Sequence, residues 1–247
     1  MQSYGKFAAL YDRLMRDVDR DAWAGSMISL LGSPPRMVAD CACGTGEITL
    51  RLARAGYCVT GVDLSEEMLA VAAEKARKMR LKVPFICQDM RRLALHRQVD
   101  AVVSACDGVN YLASRRALSE FAAAAYAALK PGGLLLFDVS SRYKLSTILG
   151  NNTFALDETD SAYIWQNAYD PETKLIRMDL TFFARIGDGV QYDRFTETHL
   201  QRAHSEREIR AALADAGFER AEAYEAFTRN PPRDESERLQ FMAWKGI

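Results

Sequence analysis

Short apolar runs alternate with segments of helical period between residues 37 and 138. Runs of four to eight apolar residues are typical of buried strands, whereas apolar residues spaced three and four apart are typical of helices. The predicted strands are Met37–Cys41, Cys58–Val62, Val83–Cys87, Ala101–Ser104 and Leu134–Phe137, and the predicted helices are Glu47–Ala55, Ser65–Arg80 and Ala117–Leu129, the last ended by Lys130-Pro131-Gly132-Gly133. This alternation predicts an α/β fold, in which a mostly parallel sheet has helices on both faces.

The pattern changes after Gly150 to alternating aromatic and β-branched segments with hairpin-like turns. We predict three antiparallel strands here, at Ala162–Tyr169, Lys174–Arg185 and Tyr192–Ala203. Ser205 and Glu208 then form a capping-box pattern for a helix that ends at Gly217. Two further strands are expected near Glu222–Phe227 and Arg238–Trp244, which makes seven in the main sheet. The expected organisation is one domain, residues 1–149 and 204–247, interrupted by an antiparallel insertion at residues 150–203.

A glycine-containing turn separates the first strand from the first helix, in the segment DCACGTGE at residues 40–47. Gly44 and Gly46 would let backbone amides approach a bound adenosine-containing cofactor. Asp63 ends the second strand, where a carboxylate can accept hydrogen bonds from both hydroxyls of a ribose. Its alternative role is an acid that favours the dipole of the following helix. The dinucleotide pattern GxGxxG is incomplete, because Thr49 stands at its third glycine.

The charge and the cysteine content argue against several other classes of protein. Lys and Arg total 32 against 33 Asp and Glu, so no basic excess indicates a nucleic-acid partner. The five cysteines and three histidines lack the paired spacing of a zinc site, so we expect no metal and interpret the cysteines as buried, reduced thiols. Apolar stretches are far shorter than the roughly 20 residues of a membrane span, and the first residues do not form a secretory signal. A soluble cytoplasmic protein, monomeric or homodimeric, is expected.

The segment VADCACGTGEITLRLARAGYCVTGVDLSEEML resembles the opening of the class I S-adenosylmethionine-dependent methyltransferases. The resemblance extends through CQDMRRL, VVSACDGVNYL and LKPGGLLLFDV, and it covers nearly the whole chain. The start, YGKFAALYDRLM, is similar to the N-terminal lid helix of small bacterial members that carry a late β insertion. Their relatives include sugar N,N-dimethyltransferases and glycine N-methyltransferase. The resemblance implies a Rossmann-like fold and the transfer of a methyl group from S-adenosylmethionine, which leaves S-adenosylhomocysteine.

The resemblance also implies roles for individual residues on the cofactor side. The loop at Asp40, Ala42, Cys43, Gly44 and Gly46 would surround the methionine part of the cofactor, and Asp63 would hold the ribose. Leu64 or Met68 would cover the adenine, Asp89 and Met90 would meet its amino group and a ring nitrogen, and Cys106 would lie where cofactor and acceptor meet. One departure is Ala42, which occupies the first glycine position of the family pattern DxGxGxG.

Candidate residues for the acceptor side are Tyr11, Asn110, Tyr111 and His199, together with Asp107 and Arg202. Each has an ordinary structural alternative: Tyr11 could pack on the core, Asn110 could form a turn and Tyr111 could be a core residue. For His199 a solvent-facing position on an insertion strand is the favoured interpretation, because strand alternation exposes half of the residues. His204, beside the Ser205 cap, is interpreted as structural or exposed.

The predicted function is methyl transfer to a nitrogen or oxygen of a small molecule. One alternative is a methyltransferase that acts on RNA or protein, which the balanced charge does not favour. A second is a catalytically silent S-adenosylmethionine-binding regulator, which Ala42 and the lack of an evident general base leave open. An NAD-dependent oxidoreductase is disfavoured by Thr49 and by the absence of a Tyr-x-x-x-Lys pattern.

Overall fold

The computed structural model describes residues 8, 12, 19–33, 36–187 and 189–247 of the 247-residue chain. The candidate Tyr11 and most of the expected lid helix lie outside the described residues. Among those residues, no helix has the length and the apolar character that crossing a membrane requires.

Helices and strands alternate along the first part of the chain and are followed by a run of strands. The helices are α1 (Arg20–Leu31), α2 (Glu47–Arg54), α3 (Glu66–Lys78), α4 (Arg115–Ala128) and α5 (Glu206–Ala216). The strands are β1 (Met37–Cys41), β2 (Cys58–Asp63), β3 (Phe85–Cys87), β4 (Val99–Ser104), β5 (Leu129–Ser140), β6 (Thr153–Asp157), β7 (Ser161–Asp170), β8 (Leu175–Arg185), β9 (Tyr192–Arg202), β10 (Arg220–Glu225) and β11 (Arg238–Trp244). Short 3₁₀ helices span Met90–Arg92 and Gly108–Tyr111, and a π-helical turn spans Lys144–Leu149.

The main sheet has seven strands in the order β10-β11-β5-β4-β1-β2-β3. The strands from β5 to β3 run parallel, and β11 pairs antiparallel with both β5 and β10. Because β1 is central and its neighbours β4 and β2 lie on opposite sides of it, the loops that follow these strands meet at one edge of the sheet. The predicted Rossmann-like fold, seven-stranded and mostly parallel, is confirmed.

Two apolar layers cover the faces of this sheet. On one face, Val102 and Phe137 pack in a cluster with Phe121 of α4 and Leu213 of α5. On the other, Val103 and Leu136 pack with residues of α1 and α2, including Trp23 and Leu52. Adjacent strand residues therefore serve opposite faces, as the pleat of a strand covered on both sides requires.

Polar caps set the ends of the helices that flank the sheet. The Ser65 and Ser114 hydroxyls accept from the amides of Met68 and Ala117, which satisfies amides that have no partner inside the helix. Ser205 and Glu208 form the reciprocal capping box at the start of α5. That helix ends at Gly217 in a left-handed conformation, with φ of 101°. The capping box at Ser205 and the helix end at Gly217 were predicted from the sequence, because each depends on residues only a few positions apart.

The second sheet contains four antiparallel strands in the order β6-β7-β8-β9, so the prediction of three strands was wrong. The missed strand, Thr153–Asp157, lies at the edge and pairs only with Ala162–Gln166. Its length of five residues and its pairing to a single neighbour leave little pattern to detect.

Other boundaries also differ from the prediction. Strand β5 begins at Leu129, so the Lys130-Pro131-Gly132-Gly133 segment is part of the strand and does not form a separate terminator. A proline is tolerated there because β5 pairs with β4 only at Leu129 and again from Leu134 onward. Helix α1 had not been predicted. The interpretation of all five cysteines as buried was wrong for Cys58 and Cys87, which are exposed.

Candidate active site

A cavity of about 530 Å³ opens at the carboxyl ends of the parallel strands. Its walls come from the loops after β1, β2, β3 and β4 and from the first turn of α3. The structure brings together at this cavity the following residues expected from the sequence on the cofactor side: Asp40, Ala42, Cys43, Gly44, Asp63, Leu64, Met68, Asp89, Met90 and Cys106. Tyr111, expected on the acceptor side, also lines it.

The loop after β1 is wound tightly and is fastened to Asp63. Ala42, Gly44 and Gly46 all have left-handed backbone angles, with φ of 55°, 53° and 77°. The Gly44 amide donates to Asp63 Oδ2 at 2.7 Å, and the Ser65 amide donates to Asp63 Oδ1 at 2.9 Å. The Asp63 carboxylate therefore organises the ends of two neighbouring strands at once.

Gly46 contributes to this loop without lining the cavity. A Cβ at position 46 would lie 2.9 Å from the Cβ of Ala72 in α3, closer than side-chain atoms approach. Glycine at this position therefore allows α2 to begin against α3. Its left-handed φ independently favours glycine.

Asp40 is a buried acid at the floor of the cavity. Burial raises its pKa to about 7, a hydrogen bond from Thr49 opposes the rise, and the charge of Asp63 adds to it. The Thr49 hydroxyl donates to Asp40 Oδ2 at 2.5 Å. Near neutral pH this carboxyl is therefore poised between its neutral and its charged form.

Leu64 and Met68 also line the cavity, and Leu64 is 70% exposed whereas Met68 is buried. Asp89 accepts from the Arg91 amide at 2.9 Å and from the Arg91 guanidinium, and this pairing lowers the pKa of Asp89. Met90 begins a 3₁₀ turn immediately after Asp89. An apolar surface at Leu64 and Met68 and the Arg91-paired carboxylate of Asp89 thus both line the cavity.

The loop after β4 forms the next wall. Cys106 and Asp107 both have φ of 56°, a conformation that disfavours residues with a side chain. Tyr111 is half-buried, and its hydroxyl lies 3.3 Å from Nδ1 of His199 in β9. The two rings also meet edge to face, with centroids 5.9 Å apart. This contact joins the main sheet to the second sheet at the cavity.

His199 is buried, with 4% of its surface exposed, so the interpretation of a solvent-facing histidine was wrong. The alternation of residues along β9 did not indicate which of its two faces would be buried. The face that contains His199 is buried because the second sheet packs against the 3₁₀ turn at Gly108–Tyr111. Burial lowers the pKa of His199 to about 4, which keeps the imidazole neutral at pH 7.

Asn110 is fully buried and forms structural hydrogen bonds. Its amide nitrogen donates to the carbonyls of Ser140 and Arg202, both at 3.0 Å, and its oxygen accepts from the Ser140 amide at 2.9 Å. These three backbone partners tie the loop after β4 to the ends of β5 and β9. Asn110 does not line the cavity.

Arg202 and His204 belong to a buried network beside that loop. The Arg202 guanidinium donates to Glu208 Oε1 at 3.0 Å and lies 2.9 Å from His204 Nδ1. His204 Nε2 donates to the Leu112 carbonyl at 2.8 Å, and burial lowers its pKa to about 4. Arg202 therefore does not reach the cavity, and the structural alternative for His204 describes its position.

Several residues that line the cavity were not predicted from the sequence, among them Arg20, Thr45, Glu47 and Arg91. The Thr45 hydroxyl donates to Asp12 Oδ1 at 2.7 Å, so Asp12 contacts the loop after β1. Arg20 comes from α1 and had no local signal, because only the fold brings it to this loop. Arg91 lies two residues after Asp89, and this proximity in sequence could have identified it. In the described ranges, no cluster of three or more His, Cys, Asp or Glu is arranged to hold a metal ion.

The fold and the cavity define a class of protein: an α/β enzyme that binds a nucleoside cofactor at the carboxyl ends of its strands. The methyltransferase-domain family matches residues 38–133. The chain is 40% identical to the YqeM protein of Bacillus subtilis, over 98% of this chain and 97% of that one, and the name of that protein assigns it to the methyltransferases. A solved S-adenosylmethionine-dependent methyltransferase of Clostridium acetobutylicum is 34% identical, with a TM-score of 0.89 over 99% of both chains.

The sugar N-methyltransferase KedS8 of a Streptoalloteichus species has a TM-score of 0.74 at 23% identity, which shows a shared fold. The chain belongs to the class I S-adenosylmethionine-dependent methyltransferases, and its cofactor is S-adenosylmethionine.

Proposed function

We propose that the chain transfers the methyl group of S-adenosylmethionine to a nitrogen or oxygen of a small-molecule acceptor. The observation that carries this proposal is the position of Tyr111, which lines the cofactor cavity and contacts His199 of the second sheet. An acceptor bound beside this pair would be held between the two sheets. Phe182 of the second sheet and Met68 of α3 are both buried in one apolar cluster, so the insertion also covers the cavity on its α3 side. A covered site of this kind suits a small molecule better than a polymer.

The cavity residues fit the parts of the cofactor. Asp63 would hold the ribose hydroxyls, Leu64 and Met68 would cover the adenine, and Asp89 with the Met90 amide would meet its polar edge. The turn of Ala42, Cys43 and Gly44 would surround the methionine part, with Asp40 facing the cationic end and Cys106 close to the methyl group. The left-handed backbone at Ala42 and Gly44 supports this fit, because it bends the loop tightly at the wall of the cavity.

Bound S-adenosylmethionine supplies a methyl group on a positively charged sulfur that a lone pair can displace. The chain contributes by fixing the acceptor in line with that methyl group and by excluding water, which can provide most of the acceleration. A neutral amine needs only to lose a proton afterwards, whereas a hydroxyl benefits from a base. Tyr111 and the neutral imidazole of His199 would orient the acceptor and receive its hydrogen bond.

The test is incubation of the purified chain with S-adenosylmethionine and separate pools of small amines, hydroxylated metabolites, RNA and peptides. Formation of S-adenosylhomocysteine and the mass of one added methyl group in a pool are measured. We expect turnover with a small-molecule pool, lost in Tyr111→Phe and His199→Phe variants that still bind S-adenosylhomocysteine. Turnover only with RNA or peptides would refute the proposed acceptor class, and cofactor binding with no turnover in any pool would favour a silent regulator.

A further inference from the structure

The end of β9 and the residues just after it are joined to the loop after β4 at four points. This loop, residues 106–112, supplies part of the cavity wall. The contacts pair His199 with Tyr111, Gln201 with Asp107, the Arg202 carbonyl with Asn110, and His204 with the Leu112 carbonyl. The insertion therefore does more than cover the cavity, since it holds one of its walls.

Asp107 is the point at which three parts of the fold converge. Gln201 Nε2 of β9 donates to Asp107 Oδ2 at 2.9 Å, and the Arg238 guanidinium of β11 donates to Asp107 Oδ1 at 2.7 Å. The Asp107 amide donates to Asp138 Oδ2 of β5 at 3.0 Å, and Arg238 also pairs with Asp138. Both carboxylate oxygens of Asp107 are thus engaged with buried or nearly buried partners.

The backbone at this point has a conformation that needs such support. Cys106 and Asp107 are consecutive non-glycine residues with left-handed φ angles, and each is costly for a residue with a Cβ. Cys106 and Gly108, on either side of Asp107, line the cofactor cavity. Movement of the Asp107 side chain would therefore move the cavity wall on both sides of it.

We propose that Gln201 and Arg238 are positioning residues that lock the Cys106–Asp107 turn and thereby couple the insertion to the cofactor site. In this arrangement Asp107 acts through the backbone of the wall and not as a free base for the acceptor. A ligand that shifts β9 would change cofactor affinity through Gln201. The proposal depends on the cofactor, which the family establishes, and not on the nature of the acceptor.

The experiment compares two substitutions of Gln201 with a control on the same strand. Gln201→Leu removes the hydrogen bond, Gln201→Glu places a carboxylate against Asp107, and Leu200→Ala alters the neighbouring, 42% exposed residue on the other face. Affinity for S-adenosylhomocysteine is measured by calorimetry, and hydrogen exchange is followed in residues 104–112 with residues 37–41 as an internal reference. Thermal unfolding identifies any variant that fails to fold.

We expect Gln201→Leu to weaken S-adenosylhomocysteine binding about fivefold, the effect of one hydrogen bond. Gln201→Glu should weaken binding further and speed exchange in residues 104–112 only, while Leu200→Ala changes neither. In the double variant Asp107→Asn/Gln201→Glu, residue 107 would donate the hydrogen bond and residue 201 would accept it. This variant should recover part of the affinity lost in Gln201→Glu, which a purely structural defect would not do.

Wild-type affinity and exchange in both Gln201 variants would overturn the proposal, as would equal losses in Leu200→Ala. If Gln201→Glu does not fold, the affinity and the hydrogen exchange of Gln201→Leu alone test the proposal. A wild-type protein that binds S-adenosylhomocysteine but transfers no methyl group would refute the proposed function and leave this test intact.

Discussion

The Cβ of Ala42 occupies the space that a side chain at Gly108 would need: a Cβ built at position 108 would lie 2.7 Å from it. Ala42 stands at the first glycine position of the pattern DxGxGxG, and it has a left-handed φ of 55°. The cavity loops after β1 and β4 thus meet at Ala42 and Gly108, and only Ala42 carries a methyl group. The absence of a side chain at Gly108 accommodates the departure of Ala42 from the family pattern.

This contact predicts the outcome of exchanging the two residues. Gly108→Ala should lower both the melting temperature and the affinity for S-adenosylhomocysteine, because the new methyl group would lie 2.7 Å from Ala42 Cβ and 2.9 Å from Ser104 Oγ. Ala42→Gly should raise stability by roughly 1 kcal/mol, since it relieves a left-handed alanine. The double variant Ala42→Gly/Gly108→Ala should bind better than Gly108→Ala alone. Additive effects in calorimetry and thermal unfolding would show that the two positions do not interact.

Asp40→Asn should have opposite effects at pH 8: it should raise the stability of the protein and weaken its binding of the cofactor. The folded-state pKa of Asp40 is about 7, above the ordinary value of 3.8, so the folded state binds more protons between these values. The free energy of unfolding therefore falls as pH rises from about 4 to 7, and it stays reduced above pH 7. The asparagine variant lacks this loss, so at pH 8 its melting temperature should exceed that of the wild type by a few degrees.

The same variant should bind S-adenosylmethionine more weakly at pH 8, because the ionised Asp40 favours the cationic cofactor. Wild-type affinity should rise as pH increases through 7, and the rise should be absent in Asp40→Asn. Calorimetry from pH 6 to 8.5 measures both. Parallel pH profiles for the two proteins would contradict the placement of Asp40 beside the cationic end.

Asp63→Ala should reduce affinity for S-adenosylhomocysteine by at least about tenfold. The carboxylate accepts from the amides of Gly44 and Ser65, and charge-assisted bonds of this kind are among the stronger ones in proteins. The substitution removes the proposed ribose contact and loosens the Gly44 turn together. Glu74→Ala is a suitable control, because Glu74 is an acid of α3 that pairs with Arg77 and does not line the cavity. Undiminished binding by Asp63→Ala would exclude the proposed ribose site.

Arg238→Met should destabilise the protein by about 3–5 kcal/mol, because it leaves the buried Asp138 carboxylate without its cation. Burial raises the Asp138 pKa to about 6, Arg238 opposes this rise, and its loss should raise the pKa further. The folded variant would then hold its extra proton up to a higher pH, so its free energy of unfolding would fall over a wider pH range than that of the wild type. The loss of stability relative to the wild type should therefore be larger at pH 8 than at pH 5.5. Adding Asp138→Asn should restore part of the stability. A pH-independent defect in denaturant titrations would count against this account.

Local sequence features were sufficient to predict most of the main sheet. Strand β1 matches the predicted Met37–Cys41, and the capping box at Ser205 and the helix end at Gly217 are present as expected. Periodicity, capping and glycine turns depend on residues within a few positions of one another, so the sequence displays them directly. The errors lie where local pattern is weak, as at the edge strand Thr153–Asp157, or where packing chose between equivalent faces, as at His199.

The sequence by itself determined the α/β architecture, the turn of Gly44 and Gly46, and the acid at Asp63, because each follows from short-range periodicity and backbone preference. Only the tertiary structure decided that Asp107 meets Gln201 and Arg238, which are 94 and 131 positions away along the chain. Such contacts arise from the order of strands in the two sheets and from the packing between those sheets. No pattern within one segment encodes them, so the cavity wall and its coupling to the insertion became visible only in the folded chain.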